Sequence, residues 1–199
     1  MSIEVKKLVL ASTSRYRAML LERLQLPFDT AAPDIDESPL PGEAPAALTE
    51  RLALGKACEV AGQFSDALVV GSDQVAVLGD DILGKPGTSE RAISQLQRLS
   101  GNHVDFLTSL CVLDSKTGDH EVTHVSTPVQ FRELELAEIE AYVRYEQPLD
   151  CAGSFKSEAL GITLFRSIGG SDPNALIGLP LIRLCEMLSK FGVNPLLSR

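Results

Sequence analysis

The stretch from Ala67 to Pro86, ALVVGSDQVAVLGDDILGKP, constrains the fold more than any other part of the chain. Its opening, Ala67-Leu68-Val69-Val70, is apolar without interruption, the pattern of a buried strand. The run ends in Gly71-Ser72-Asp73, and a buried strand that stops at small residues before an Asp presents a carboxylate at a sheet's edge. Val75–Leu78, the turn signal Gly79-Asp80 and the returning Ile82-Leu83 then read as a hairpin. A loop of just Gly79 and Asp80 pairs Leu78 with Asp81 and, counted outward, sets Gln74 opposite Lys85. A carboxylate and an ammonium would share the open end. The same pattern also fits an ordinary hairpin whose end charges are solvated.

The residues before this stretch prepare a second feature. Lys7–Ala11 reads as a strand, Ser12-Thr13-Ser14 as a turn able to cap a helix, and Arg15–Leu24 as that helix, with Leu20, Leu21 and Leu24 at helical spacing. Strand, hydroxyl-rich turn and helix in that order aim backbone N–H groups and the positive end of the helix dipole at one spot. Ser12, Ser14 and Arg17 face it. Phosphate binding and plain capping both fit. Phe28–Ala31 reads as a second strand, followed by the acidic turn Asp34-Ile35-Asp36-Glu37, which suits either a metal or bulk solvent. A helix runs from Ala46 to Gln63. Lys56 extends its apolar row of Leu48 and Leu52, either snorkelling outward or pointing into a cleft.

After the hairpin, Thr88–Leu99 is an amphipathic helix, and Val104–Leu113 and Glu121–Phe131 are strands joined around Lys116-Thr117-Gly118-Asp119. Leu136–Tyr145 is a helix. Cys151–Glu158 matches neither period, Ile162–Ile168 returns to a strand, and a last helix opens with Pro180 at its first position. Helices alternating with hairpins predict an α/β or α+β fold on a mixed sheet. At 199 residues the chain fits one domain, or one domain of two lobes.

Charge and composition exclude several classes. A net charge of −9 opposes coating of nucleic acid, which needs a basic stripe, but leaves small phosphorylated ligands open. No apolar run reaches the roughly 18 residues of a membrane span, and no signal-peptide core follows Lys6-Lys7, so a cytoplasmic protein is expected. Four scattered cysteines without a CxxC pair predict reduced core residues rather than disulfides or zinc. GxSxG and HExxH motifs are missing from the sequence. Gly79–Lys85 matches a P-loop up to its eighth position. Pro86 stands there in place of the metal-binding hydroxyl, and two aspartates would repel the phosphates, so the match reads as accidental. The remaining pieces suit metal-assisted hydrolysis of a phosphoanhydride. Asp73 and Asp36-Glu37 offer oxygens for a divalent ion. Ser12, Ser14, Arg17, Lys56, Lys85 and Lys156 offer donors and charge for a polyphosphate.

Together, Ala11-Ser12-Thr13-Ser14 with Arg17, Asp36-Glu37, Gly71-Ser72-Asp73-Gln74, Gly84-Lys85-Pro86 and Asn174–Pro180 resemble the signature set of the Maf family of nucleoside triphosphate pyrophosphatases. The resemblance spans nearly the whole chain. It implies a single domain over residues 1–199, an elongated α/β fold like that of the inosine triphosphate pyrophosphatases, with a mixed twisted sheet, flanking helices and a central cleft between two lobes. It implies hydrolysis between the α and β phosphates, in a house-cleaning role on modified nucleotides, with a divalent cation (magnesium, manganese or cobalt) as cofactor and a homodimer as the assembly. Residue by residue, it carries the catalytic proton acceptor to Asp73 and substrate binding to Ser12, Arg17, Lys56 and Lys85, beside which the turn itself offers Ser14 as a further substrate-binding hydroxyl. Glu37 joins Asp73 as a metal ligand. Gln74 and Glu158 resemble the subgroup acting on 7-methyl-GTP rather than the one acting on dTTP and UTP. N7-methylation makes guanine cationic, which favours an aromatic partner and a carboxylate, here Tyr16 and Glu158. The sequence departs from that subgroup at Tyr16, usually Trp, and at Arg15, often Pro. A non-catalytic nucleotide-binding regulator of cell division is the alternative in another class.

Overall fold

Leu8 and Leu10 of β1 (Lys7–Ala11) pack on one side of a sheet, while Val9 and Ala11 pack on the other. Because successive strand side chains point to opposite faces, a strand covered on both sides must be apolar throughout. The same holds for β3 (Ala67–Leu78), where Leu68 and Val70 share the first face and Ala67 and Val69 the second. The computed structural model describes residues 6–198. Among them, β2 (Phe28–Ala31), β5 (His103–Asp114), β6 (His120–Phe131) and β7 (Phe165–Ile168) join β1 and β3 in one mixed sheet of seven strands in the order β2-β1-β3-β5-β6-β7, with β4 (Asp81–Leu83) paired to β3. β1 runs parallel to both β2 and β3, while β4 and β7 pair antiparallel with β3 and β6.

The chain divides into two compact units. The first comprises the described residues of Met1–Asp73, Thr108–Val125 and Asp172–Arg199. The first face of its sheet is covered by α1 (Arg15–Glu22) and α5 (Leu181–Lys190) through Leu20, Leu21, Leu184, Met187 and Leu188. The second face is covered by α2 (Pro45–Ala61) through Ala53, Ala57 and Val60. Alanines line that contact because α2 sits tight on β3. A Cβ on Gly71 would fall 2.1 Å from the Ala53 carbonyl oxygen and 3.0 Å from Ala57 N. Only glycine lets the helix approach so closely.

The second unit comprises Gln74–Leu107 and Ser126–Ser171. It holds α3 (Ser89–Leu99) and α4 (Leu136–Glu146), which bury Ala92, Leu96, Leu99, Ile139, Tyr142 and Val143. Phe155 meets Phe106, Phe131 and Phe165 edge to face, with centroids 5.1, 5.8 and 4.9 Å away. Thr88 caps α3, and Glu135 and Glu138 form a capping box on α4.

The hairpin has the predicted register: Leu78 pairs with Asp81, Val77 with Ile82 and Ala76 with Leu83. Gly79–Leu83 therefore forms a β-turn and a returning strand, and Gly84-Lys85 follow it in irregular chain rather than as a loop opening directly into a helix. β5 (His103–Asp114) and β6 (His120–Phe131) cover the two predicted strands. Three expectations are corrected. β3 does not stop at Gly71 but runs through Ser72 and Asp73, whose backbone stays in the strand. Residues 160–164 form a 3-10 helix before β7 instead of joining it, since Gly161 and the preceding turn break the strand path. Pro180 is the N-cap of α5 rather than its first helical residue.

Candidate active site

Alternation along β3 sorts the residues that follow the apolar run. Ser72 continues the row of Leu68 and Val70, and Asp73 continues the row of Val69 and Gly71, beneath α2. Lys56 is on α2, one turn beyond Leu52, and is buried with 5% exposure. It points inward. Its Nζ lies 2.7 Å from Asp73 Oδ1 and 2.8 Å from Glu37 Oε1. A buried ammonium is tolerated only when paired, and here two carboxylates share it. Asp73 is itself 7% exposed.

The turn after β1 supplies the opposite charge. Ser14 caps α1 by accepting from Arg17 N at 3.4 Å, and Ser12 Oγ accepts from Ser14 N at 3.1 Å. Arg17 Nε donates to the Gly178 carbonyl at 2.9 Å, and Nη1 approaches Ser12 Oγ at 3.5 Å. Burial lowers the Arg17 guanidinium below its ordinary value, opposed by the attraction of Asp73 and Glu37, and it remains a cation at neutral pH. Ser12, Ser14, Arg17, Glu37, Lys56 and Asp73 thus gather in the first unit. Of the acidic turn only Glu37 joins Lys56. Asp36 instead accepts from Ser38 N at 2.9 Å, which holds its carboxyl below the usual range.

Tyr16, also in the first unit, is half-buried. The Arg15 guanidinium lies 4.8 Å from its ring centroid and Arg15 Nη2 donates to its hydroxyl at 2.8 Å, so one face of the ring carries a cation already. Gln74, Lys85 and Glu158 belong to the second unit. Lys85 is exposed, with no carboxylate in ion-pair range among the described residues. Glu158 is exposed, and Ser157 Oγ approaches its Oε2 at 3.5 Å. Lys156 does not keep its ammonium for a phosphate: it donates to the Glu146 carbonyl and lies 3.9 Å from Glu146 Oε2.

Sequence reasoning missed the supports. Ser72 is fully buried, with Oγ 2.8 Å from the Ser109 carbonyl and 2.9 Å from that of Gly178. Its single hydroxyl proton serves one of these at a time. Gly178 has φ +119, so its carbonyl reaches Arg17 along a backbone path that side chains disfavour. Asp172, 3% exposed, accepts from Ile182 N at 2.7 Å and Arg183 N at 3.3 Å, capping α5 from well upstream. The Asn174–Pro180 motif flagged the loop, but a main-chain acceptor leaves no side-chain signature.

Chemically, the cluster offers hard carboxylate oxygens beside two fixed cations. Among the described residues no three His, Cys, Asp or Glu side chains converge as a closed metal cage. Two carboxylates with further oxygens from a phosphate suit magnesium-like cations, which keep few protein ligands. No helix among the described residues is long and apolar enough to cross a membrane.

Known proteins resemble the chain over nearly its whole length. The 7-methyl-GTP pyrophosphatase of Chromohalobacter salexigens is 57% identical over 190 residues, covering 96% of this chain and 98% of that protein. The protein of the same name from Aromatoleum aromaticum is 58% identical over 187 residues, covering 94% and 96%. That of Pseudomonas putida is 56% identical, covering 94% and 97%. The solved structure of the Staphylococcus aureus Ham1 protein aligns at a TM-score of 0.47 and 14% identity, over 64% of this chain and 73% of that one. Residues 7–191 match the Maf-like protein family, and the chain belongs to that family.

Proposed function

We propose that the protein hydrolyses 7-methyl-GTP to 7-methyl-GMP and pyrophosphate. The observation that carries this reading is the convergence of Asp73 and Glu37 on buried Lys56, with Arg17 within their electrostatic reach. The substrate is supported by relatives of that name at 56–58% identity over nearly the full chain.

Asp73 accepts a proton from the water that attacks the α-phosphorus. The bond from that phosphorus to the bridging oxygen breaks, and pyrophosphate leaves with the electron pair. Arg17 and Lys56 stabilise the negative charge, and Ser12 and Ser14 sit at the N-terminus of α1, where backbone N–H groups favour phosphate. Glu37 and Asp73 would hold magnesium, manganese or cobalt, which supplies charge neutralisation for the phosphate oxygens. Following the family resemblance, Lys85 binds phosphate, while Tyr16, Gln74 and Glu158 select the base.

Pyrophosphate release should be measured across GTP, 7-methyl-GTP, dTTP and UTP with each metal. Asp73→Asn should lower kcat about 10²- to 10⁴-fold, the span of a lost general base, with the fold intact by circular dichroism. Near-normal turnover in that variant, or a preference for dTTP or UTP, would sink the proposal.

A further inference from the structure

Tyr142 and Glu146 stand four residues apart on α4 and share one face of it. Each accepts a backbone N–H from the same short segment of the second unit. Lys156 N donates to the Tyr142 hydroxyl at 3.0 Å, and Leu160 N donates to Glu146 Oε1 at 3.2 Å. These two donors lie two residues before and two residues after Glu158. One helix face therefore grips the main chain on both sides of that carboxylate.

Other contacts close the same segment. The Lys156 ammonium folds back to the Glu146 carbonyl. A Cβ on Gly161 would fall 2.4 Å from the Lys156 carbonyl oxygen, so a glycine is needed where the segment meets itself. Upstream, Phe155 is 4% exposed within its ring cluster. Ser154, fully buried at φ +61, bonds Gln95. A left-handed non-glycine residue persists only where its surroundings over-determine it, and such strain gathers at functional sites. Burial raises the Tyr142 phenol, keeping it neutral. Glu158 itself is exposed at the centre of this frame.

We propose that Tyr142 and Glu146 are positioning residues for base selection, holding the main chain around Glu158 so that its carboxylate meets the base without first being ordered. An immobilised recognition group avoids the ordering cost that a mobile one incurs on binding. The proposal rests on the reading that Glu158 selects 7-methylguanine.

The test is the ratio of kcat/KM for 7-methyl-GTP to that for GTP, in Tyr142→Phe, Glu146→Ala, Glu146→Gln and Glu158→Gln, and in Tyr142→Phe combined with Glu158→Gln. Tyr142→Phe keeps the buried ring, and thermal unfolding checks each variant. Tyr142→Phe and Glu146→Ala should each lower the ratio about two- to tenfold, the worth of one hydrogen bond, mainly through KM for the methylated nucleotide. Glu146→Gln keeps a side-chain oxygen for Leu160 N and should keep the ratio. In the Glu158→Gln background, Tyr142→Phe should lower it no further, because residues acting through one contact are not additive. An unchanged ratio in both single variants, or a full further loss in the double variant, overturns the clamp and leaves the base reading standing. An unchanged ratio in Glu158→Gln overturns the base reading and the clamp with it.

Discussion

Asp73 and Glu37 reach the same ammonium, Lys56 Nζ, from a strand and from a loop, at 2.7 and 2.8 Å. Asp73 is nearly enclosed, whereas the Glu37 side chain is 55% exposed. The two ion pairs are therefore unequal. The one to Asp73 is shielded and strong, and the one to Glu37 is screened by water.

Lys56→Met should remove the ammonium and strand the Asp73 carboxylate beneath α2. Breaking one partner of a buried pair costs about 3–5 kcal/mol, so urea unfolding should show a loss of that size. Adding Asp73→Asn should recover most of it, because the stranded charge is then gone. Glu37→Gln should cost at most about 1 kcal/mol in the same assay.

Gly71→Ala places a methyl group 2.1 Å from the Ala53 carbonyl oxygen, which is backbone and cannot swing aside. Overpacking of this kind costs about 1–3 kcal/mol. As α2 is forced off β3, Lys56 moves with it. Pyrophosphate release should fall even at temperatures where the variant is fully folded, and a variant of normal stability and turnover would contradict the tight helix contact.

Arg17→Lys keeps the charge but loses the planar fork whose Nε binds the Gly178 carbonyl. A lysine cannot hold that acceptor and face the neighbouring cluster at once. KM for the triphosphate should rise by about tenfold or more, the worth of one charged hydrogen bond, while unfolding temperature changes little.

The loop after Glu37 should be acid-sensitive. Arg51 binds Glu43 through two contacts of 2.6 and 2.8 Å and also donates to the Ser38 carbonyl at 3.0 Å. Hydrogen bonds from Arg51 hold the Glu43 carboxyl down from 4.5 to about 2. A lowered folded-state value gives stability that is present above the unfolded value and lost as pH falls toward the folded one. Amide exchange in residues 38–43 should therefore accelerate between about pH 4.5 and 2, relative to the intrinsic rate. Glu43→Gln should abolish that step.

Much of the fold around Asp73 was legible in the sequence because its signals are local. Apolar runs marked β1 and β3, the turn at Gly79-Asp80 fixed the hairpin register, and the hydroxyl cluster marked the capped start of α1. Lys56 was readable as a choice between two directions. Only packing decides such a choice, here the approach of α2 permitted by Gly71. Asp73 was expected at a strand end because a polar residue after an apolar run looks like an exit from the core. It stays inside because Lys56 neutralises it there. Lys156 looked like a phosphate ligand since charge is visible in a sequence and a return to Glu146 is not. Ser72 and Asp172 meet main-chain partners elsewhere in the chain and Gly178 acts through its own carbonyl, and no periodicity encodes such pairings.

The acceptor shared by Arg17 and Ser72 is a peptide oxygen. Alanine scanning cannot delete it, because every substitution at residue 178 retains the carbonyl. What a substitution changes is the route of the chain, since φ +119 is closed to ordinary side chains. Saturation mutagenesis should thus find residue 178 intolerant of every replacement regardless of polarity or size, and the partner of the site's arginine would escape any survey that scores side chains alone.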